Sequence, residues 1–206
     1  MTTSSSASDR RLVLATGNRA KGRELAALLI GLPYRVEDLS AYPQIVLPPE
    51  GEVSYQANAL SKARAVTRAI GALALADDSG IEVDAFEGRP GVLSARYGGE
   101  ELTDTDRNAL MLRELAGVPP GRRTARYRAV IAVTGPDGRE ATVEGTVEGV
   151  ILDSPRGDGG FGYDPIFYYP PFGASFGEVS PTAKHAVSHR GRAMALARAL
   201  LRRWAS

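Results

Sequence analysis

A chain of 206 residues, 43% hydrophobic and 24% charged, has the length and composition to bury the core of one domain. Its formal net charge of +1 gives no bulk attraction to nucleic acid or to a membrane surface. With no cysteine, neither a disulfide framework nor a thiolate zinc site can form, and no apolar run reaches the ~20 residues of a membrane span. Residues 1–10 are polar and serine-rich without an apolar segment. They read as a disordered extension and not as a secretory signal, ahead of a single domain at residues 11–206 in a cytoplasmic protein.

Residues 12–15 form an apolar strand that passes through Thr16, Gly17 and Asn18 into a helix over residues 19–29, with Leu25, Leu28 and Leu29 on one face. Lys21 falls in the first helical turn. Exposed amides at a helix start, with a lysine beside them, suit a phosphate group. This is not the Walker pattern, because Gly22 follows Lys21 where Ser or Thr is needed. A second strand is expected over residues 34–39, then a proline-rich loop through Pro43, Pro48 and Pro49. Ser54 can cap a helix whose Ala59, Leu60, Ala63, Val66 and Ile70 make an apolar stripe. Residues 73–76 read as a buried strand that carries Asp77, Asp78 and Ser79 at its C-terminal end, where ligands of open α/β sheets gather. Adjacent carboxylates need solvent or a cation, commonly a hard divalent metal with oxygen ligands. A simple Asp-Asp-Ser-Gly turn is the alternative.

Thr103 can cap a helix ending near Leu115, with Leu110, Met111, Leu112 and Leu115 on its apolar side. The period then changes to two: strands over residues 127–134 and 141–152 are joined through Pro136, Asp137 and Gly138. Residues 157–167 read GDGGFGYDPIF, with four glycines among six consecutive residues, so the backbone can come close to a ligand. Phe161 and Tyr163 offer two aromatic faces to a flat base, and Asp164 a carboxylate to read its polar edge. A glycine-rich turn with core aromatics fits the same residues. Ser188 can cap a last helix bearing Ala193, Leu196, Ala197, Leu200 and Trp204 at helical spacing. His185 and His189 are four apart without a third ligand nearby, and the acidic pair suits magnesium better than zinc. The pairs Arg122, Arg123 and Arg202, Arg203 read as solvated surface. The fold class is α/β: a long, mixed, twisted central sheet flanked by helices, in two lobes with the active-site cleft between them.

Five segments together resemble the noncanonical purine nucleoside triphosphate pyrophosphatases, the inosine and xanthosine triphosphatase family. They are TGNRAK at residues 16–21, ADDSG at 76–80, GRPGVLSARY at 88–97, GGFGYDPIF at 159–167 and SHRG at 188–191. They occur in the family's order and span nearly the whole chain. The resemblance implies a magnesium-dependent hydrolase that cuts inosine, deoxyinosine or xanthosine triphosphate (ITP, dITP, XTP) to the monophosphate and pyrophosphate, cleansing the nucleotide pool. It also implies a homodimer. Carried over by position, Thr16, Gly17, Asn18, Arg19, Ala20 and Lys21 match the triphosphate-binding turn, with Lys62 beside them. Asp78 matches the catalytic carboxylate that also meets the metal, and Ser79 a substrate contact. Phe161, Gly162, Tyr163 and Asp164 match the base-binding segment, which Lys184, His189 and Arg190 complete. Where relatives carry two acidic residues before the Asn58–Lys62 helix start, this chain has Pro49 and Glu50. Glu50 is therefore the expected second metal contact, with Glu52 a poorer candidate.

The only three lysines among 25 basic residues are Lys21, Lys62 and Lys184, and all three lie at positions that match the family's motifs. A related pyrophosphatase acting on other modified nucleotides shares the same features. So does a non-catalytic nucleotide- or RNA-binding module in which aromatics stack bases. Asp77 and Asp78 oppose that last reading, since bare carboxylates repel phosphate. Bulk nucleic acid and membranes are not expected partners.

Overall fold

Parallel strands cannot be joined by tight turns, and the first half of the chain is built accordingly. A computed structural model describes residues 10–206. Strand β1 (Arg11–Leu14) leads into helix α1 (Arg19–Leu29), which returns the chain to β2 (Arg35–Asp38), parallel to β1. Helix α2 (Tyr55–Ile70) then crosses to β3 (Leu73–Val83), parallel to β1 on its other side. Ser54 caps α2 by accepting the Ala57 N–H at 3.2 Å, and Gly71, with φ of 62°, ends it in the left-handed conformation. Next come α3 (Asp104–Glu114), β4 (Thr124–Thr134) and β5 (Glu140–Ile151). The chain ends with β6 (Phe167–Tyr169), β7 (Ala174–Ser175), α4 (Pro181–Val187) and α5 (His189–Ala205).

The seven strands form one sheet in the order β2-β1-β3-β4-β5-β6-β7, with β6 antiparallel to both β5 and β7. The sheet is mixed and the class α/β. The chain divides into two compact units, and the division falls inside β3, immediately after Asp78. One unit runs up to Asp78 and adds Val130–Glu144 and Ala193–Ser206; the other comprises Ser79–Ala129 and Gly145–Arg192. The first is cored by buried Leu12, Leu14, Leu25, Leu29, Leu75, Ile131 and Leu201. The second is cored by Ile81, Met111, Leu115, Tyr127, Phe167 and Phe176. Burial of such side chains contributes about 1.5–3 kcal/mol each.

Three expectations need correction. Residues 73–76 are only the start of β3, which continues to Val83, so Asp77, Asp78 and Ser79 lie within a strand and form neither its end nor a turn. Leu196 is 53% exposed, and Met194 and Leu201 take buried places on α5. Arg123 is not a solvated side chain: its guanidinium donates to the carbonyls of Leu115 (3.2 Å), Val118 (2.9 Å) and Leu152 (3.2 Å). The short elements β6, β7 and α4 had no periodic signature to announce them. The expected disordered extension over residues 1–10 lies outside the described residues except for Arg10, whose carbonyl accepts the Arg35 N–H at 2.9 Å. Among the described residues no helix is long and apolar enough to cross a membrane.

Candidate active site

Consecutive residues of a strand point to opposite faces of the sheet, which gives Asp77 and Asp78 different partners. Asp77 meets Lys21 of α1, with Nζ 3.0 Å from Oδ2. Asp78 meets α2: Asn58 Nδ2 donates to its Oδ2 at 2.9 Å, and Lys62 Nζ stands 3.8 Å from its Oδ1. Asn58 and Lys62 are one helical turn apart, so they share a face of α2. Lys62 also forms an ion pair with Glu50 and donates to the Asp77 carbonyl at 2.8 Å. Glu52, by contrast, is exposed. Both aspartates are buried, Asp77 at 0% and Asp78 at 2% exposure, and buried carboxylates persist only when paired in this way. Burial pushes the Asp78 carboxyl above its ordinary range. Lys62, Lys21 and the Asn58 hydrogen bond oppose that rise, and Glu50 adds to it.

The turn at residues 16–18 differs in detail from a row of open amides. Asn18 Oδ1 accepts the N–H groups of Ala20 (2.9 Å) and Lys21 (3.0 Å), and Thr16 Oγ1 accepts the Asn18 N–H (3.2 Å). The amides of Ala20 and Lys21 are therefore committed to capping α1. Thr16, Gly17, Asn18 and Arg19 still line a cavity of about 520 Å³, together with Asp38 and Ser40.

The second unit gathers the remaining candidates around Phe161. Lys184 Nζ lies 4.8 Å, and Arg190 Cζ 5.6 Å, from the Phe161 ring centroid, both within cation–π range. Arg190 Nη2 donates to Ser79 Oγ at 2.9 Å. Asp164 is 1% exposed, and its Oδ2 accepts from Lys184 Nζ at 2.6 Å and the Phe161 N–H at 2.8 Å. Its carboxylate thus organises the loop and the lysine, a different task from reading a base edge. Tyr163 is also corrected. It sits in the core at 4% exposure and donates its hydroxyl to the Ser94 carbonyl at 2.8 Å, leaving Phe161 as the aromatic platform. Burial pushes the Tyr163 phenol up, so it remains a neutral donor.

Local chemistry explains why these residues sit where they do. Ser180 caps α4 through the Ala183 N–H at 3.2 Å, and Ser188 caps α5 through the Gly191 N–H at 3.1 Å. The chain turns so sharply there that a Cβ at Gly191 would lie 1.8 Å from the His185 carbonyl oxygen. His185 is on α4 and His189 opens α5, so they do not share one helix face. His189 stacks on Tyr127 of β4, with ring centroids 4.6 Å apart and planes 12° from parallel. Tyr127 was not marked by any motif. Its hydroxyl also donates to Asp164 Oδ1 at 3.4 Å, a partner 37 positions away that leaves no local sequence signal.

The sequence pattern of the Ham1 family matches residues 12–200. The chain belongs to the Ham1 family. That match takes in both clusters, from β1 to the middle of α5. The chain is 50% identical over 186 residues to a dITP/XTP pyrophosphatase of Geobacter sulfurreducens, covering 90% of this chain and 94% of that protein. It is 48% identical to the dITP/XTP pyrophosphatase of Desulforamulus reducens, covering 94% and 96%. Among solved structures, the Ham1 protein of Staphylococcus aureus superposes with a TM-score of 0.82 at 35% identity, covering 93% of this chain and 98% of that one.

Proposed function

We propose that this Ham1-family chain hydrolyses deaminated purine nucleoside triphosphates, ITP, dITP and XTP, to the nucleoside monophosphate and pyrophosphate. The observation that carries the reading is the pair Asp78 and Ser79. They are consecutive in β3, yet one belongs to the lysine–carboxylate cluster and the other is bonded to Arg190 beside the aromatic platform. The first suits a metal-bound phosphate chain, and the second a flat base that accepts hydrogen bonds. The relatives' names supply the substrate class.

Magnesium fits the donors present. Glu50 and Asp78 are hard oxygen ligands already turned to a single cationic centre, the Lys62 ammonium. Among the described residues no three His, Asp or Glu side chains make a protein-only cage. Magnesium ordinarily takes one or two carboxylates together with substrate phosphates. Glu50 and Asp78 would hold it, and when bound it neutralises charge on the phosphate chain. Lys21 and Lys62 bind the triphosphate, aided by Thr16, Gly17, Asn18, Arg19 and Ala20 of the turn. Asp78 acts as general base: it orients a water and accepts its proton while the α–β anhydride bond breaks and pyrophosphate leaves. Such chemistry depends mostly on positioning and charge compensation.

In the base site, Phe161 and Gly162 carry the flat face, with Tyr163 supporting from the core. Lys184 and Arg190 only donate, so they favour the 6-oxo group of hypoxanthine or xanthine over the 6-amino group of adenine. Asp164 and His189 hold these donors in place, and Ser79 fixes Arg190. The same reading includes a cytoplasmic homodimer, supported by the family resemblance and by the nucleotide pool the enzyme would serve. Pyrophosphate release from ITP, dITP, XTP, GTP and ATP, with and without magnesium, tests it. Rapid magnesium-dependent release from ITP or XTP but not ATP is expected; equal rates on all five would refute it.

A further inference from the structure

Phe161 is flanked by two glycines with left-handed backbone, Gly160 at φ +72° and Gly162 at φ +63°. Residues in that conformation lack the steric restraint that fixes an ordinary loop. The loop lies outside every strand, so no sheet ladder holds it. Backbone bonds from the Gly159 N–H to the Gly177 carbonyl and from the Asp164 N–H to the Phe161 carbonyl tie its two ends, and between them the peptide groups of Gly162 are gripped on both sides by one helix. Asp104 Oδ2 accepts the Gly162 N–H at 2.7 Å, and Asn108 Nδ2 donates to the Gly162 carbonyl at 3.0 Å. The two residues are one turn apart on α3 and so present the same face.

The helix that supplies this grip is itself anchored. Thr103 and Asp106 form a capping box at its start, and Met111 is fully buried in the core that also contains Tyr163. Asn108 is 5% exposed, and its Oδ1 has no hydrogen-bond partner. A buried carbonyl without a donor is a cost to stability, so a leucine of similar size would suit the fold better at this position. What the asparagine supplies in return is the bond to Gly162. That bond matters because Lys184 and Arg190 stand directly over the ring that the loop carries.

We propose that Asp104 and Asn108 are positioning residues for base recognition: through the Gly162 peptides they hold the Phe161 platform in register with its cations. The proposal builds on the substrate reading above and predicts a particular split. Loss of the grip weakens binding of the base while leaving the triphosphate end and the chemical step intact. Neither side chain is needed for contact with the substrate.

The test uses the full chain with magnesium and whichever nucleotide of the five-member panel it hydrolyses best. Asp104→Ala and Asn108→Leu are each expected to raise KM roughly tenfold, the scale of one strong hydrogen bond, with kcat changed by less than about threefold. Inhibition by inorganic triphosphate, which has no base, should keep its parent constant. Asp104→Asn retains an acceptor for the Gly162 N–H and should restore a KM near the parent's. The proposal is overturned if KM is unchanged in both variants, or if inorganic triphosphate binding weakens in step with KM. Neither readout depends on the fraction of enzyme that folds. If the best nucleotide is not a deaminated purine, the substrate reading fails, yet the same split between KM and triphosphate inhibition still decides the role of α3.

Discussion

Around Lys62, three carboxylates (Glu50, Asp77 and Asp78) share two ammonium groups, whereas around Phe161 one carboxylate, Asp164, is set among the cations of Lys184 and Arg190. The first cluster is carboxylate-rich and the second cation-rich. On the proposed reading, a polyphosphate approaches the first together with a divalent cation. On the same reading, the second receives a ligand that accepts hydrogen bonds, as an oxo-purine does and an amino-purine at the same position does not. One region, so read, serves charge neutralisation and proton transfer and the other discrimination. Substitutions in the two should therefore fail in different ways.

The largest effect is expected from Asp78→Asn, which removes the proposed base and a metal ligand together. Turnover should fall by ~10²–10⁴, the usual scale for a lost acid–base group, while circular dichroism stays that of the parent. Turnover within about threefold of the parent would detach Asp78 from the chemistry. Lys62→Ala should cost roughly tenfold or more in kcat/KM, because a charge-assisted contact is lost and Glu50 and Asp78 are left without their shared cation. Lys21→Ala should act in the same direction. Steady-state rates on several nucleotides should show equal losses for every base; a loss confined to one base would transfer that lysine to the recognition cluster.

A smaller effect separates stability from activity at Asp78. Its folded carboxyl titrates above the ordinary value of 3.8, chiefly because it is buried. A carboxyl raised in this way binds its proton more tightly when folded, so ionising it as the pH climbs past that ordinary value lowers stability. In metal-free buffer at neutral pH, Asp78→Asn should therefore melt at or above the parent Tm. The gap should close as the pH falls toward 3.8 and the parent's aspartate becomes neutral. A variant that melts well below the parent at neutral pH would mean that the ionised form is stabilised by its surroundings.

Some of this was open to a reader of the sequence, for identifiable reasons. Helix α1 lies where its leucine spacing places it, and α2 starts at its serine cap, because these signals act over a few residues. The β4–β5 hairpin followed from its alternation and its Pro-Asp-Gly turn. The acidic pair misled. Two charged residues look like the end of a buried strand, but Lys21, Asn58 and Lys62 compensate them from other elements and β3 continues. Partners so distant in sequence leave no local mark. Tyr163 was misplaced for the same reason: an aromatic beside a glycine-rich loop has the same letters whether it faces a ligand or Ser94. The contribution of α3 to the loop was hidden completely, because Asp104 and Asn108 look like ordinary polar positions on an amphipathic helix.

The division between chemistry and discrimination is tested most directly by the ratio of kcat/KM for ITP to that for ATP, measured in the parent, Lys62→Ala and Lys184→Met. A ratio cancels any loss of folded enzyme, which matters because Lys184→Met leaves Asp164 buried without its ammonium partner. A site built on buried hydrogen bonds can reject a mismatched analogue by ~10⁴–10⁵. The account predicts that Lys184→Met collapses most of the parent's ratio while Lys62→Ala preserves it. Equal ratios in all three proteins would contradict it, since Lys184 would then serve the phosphates or the fold and not the base.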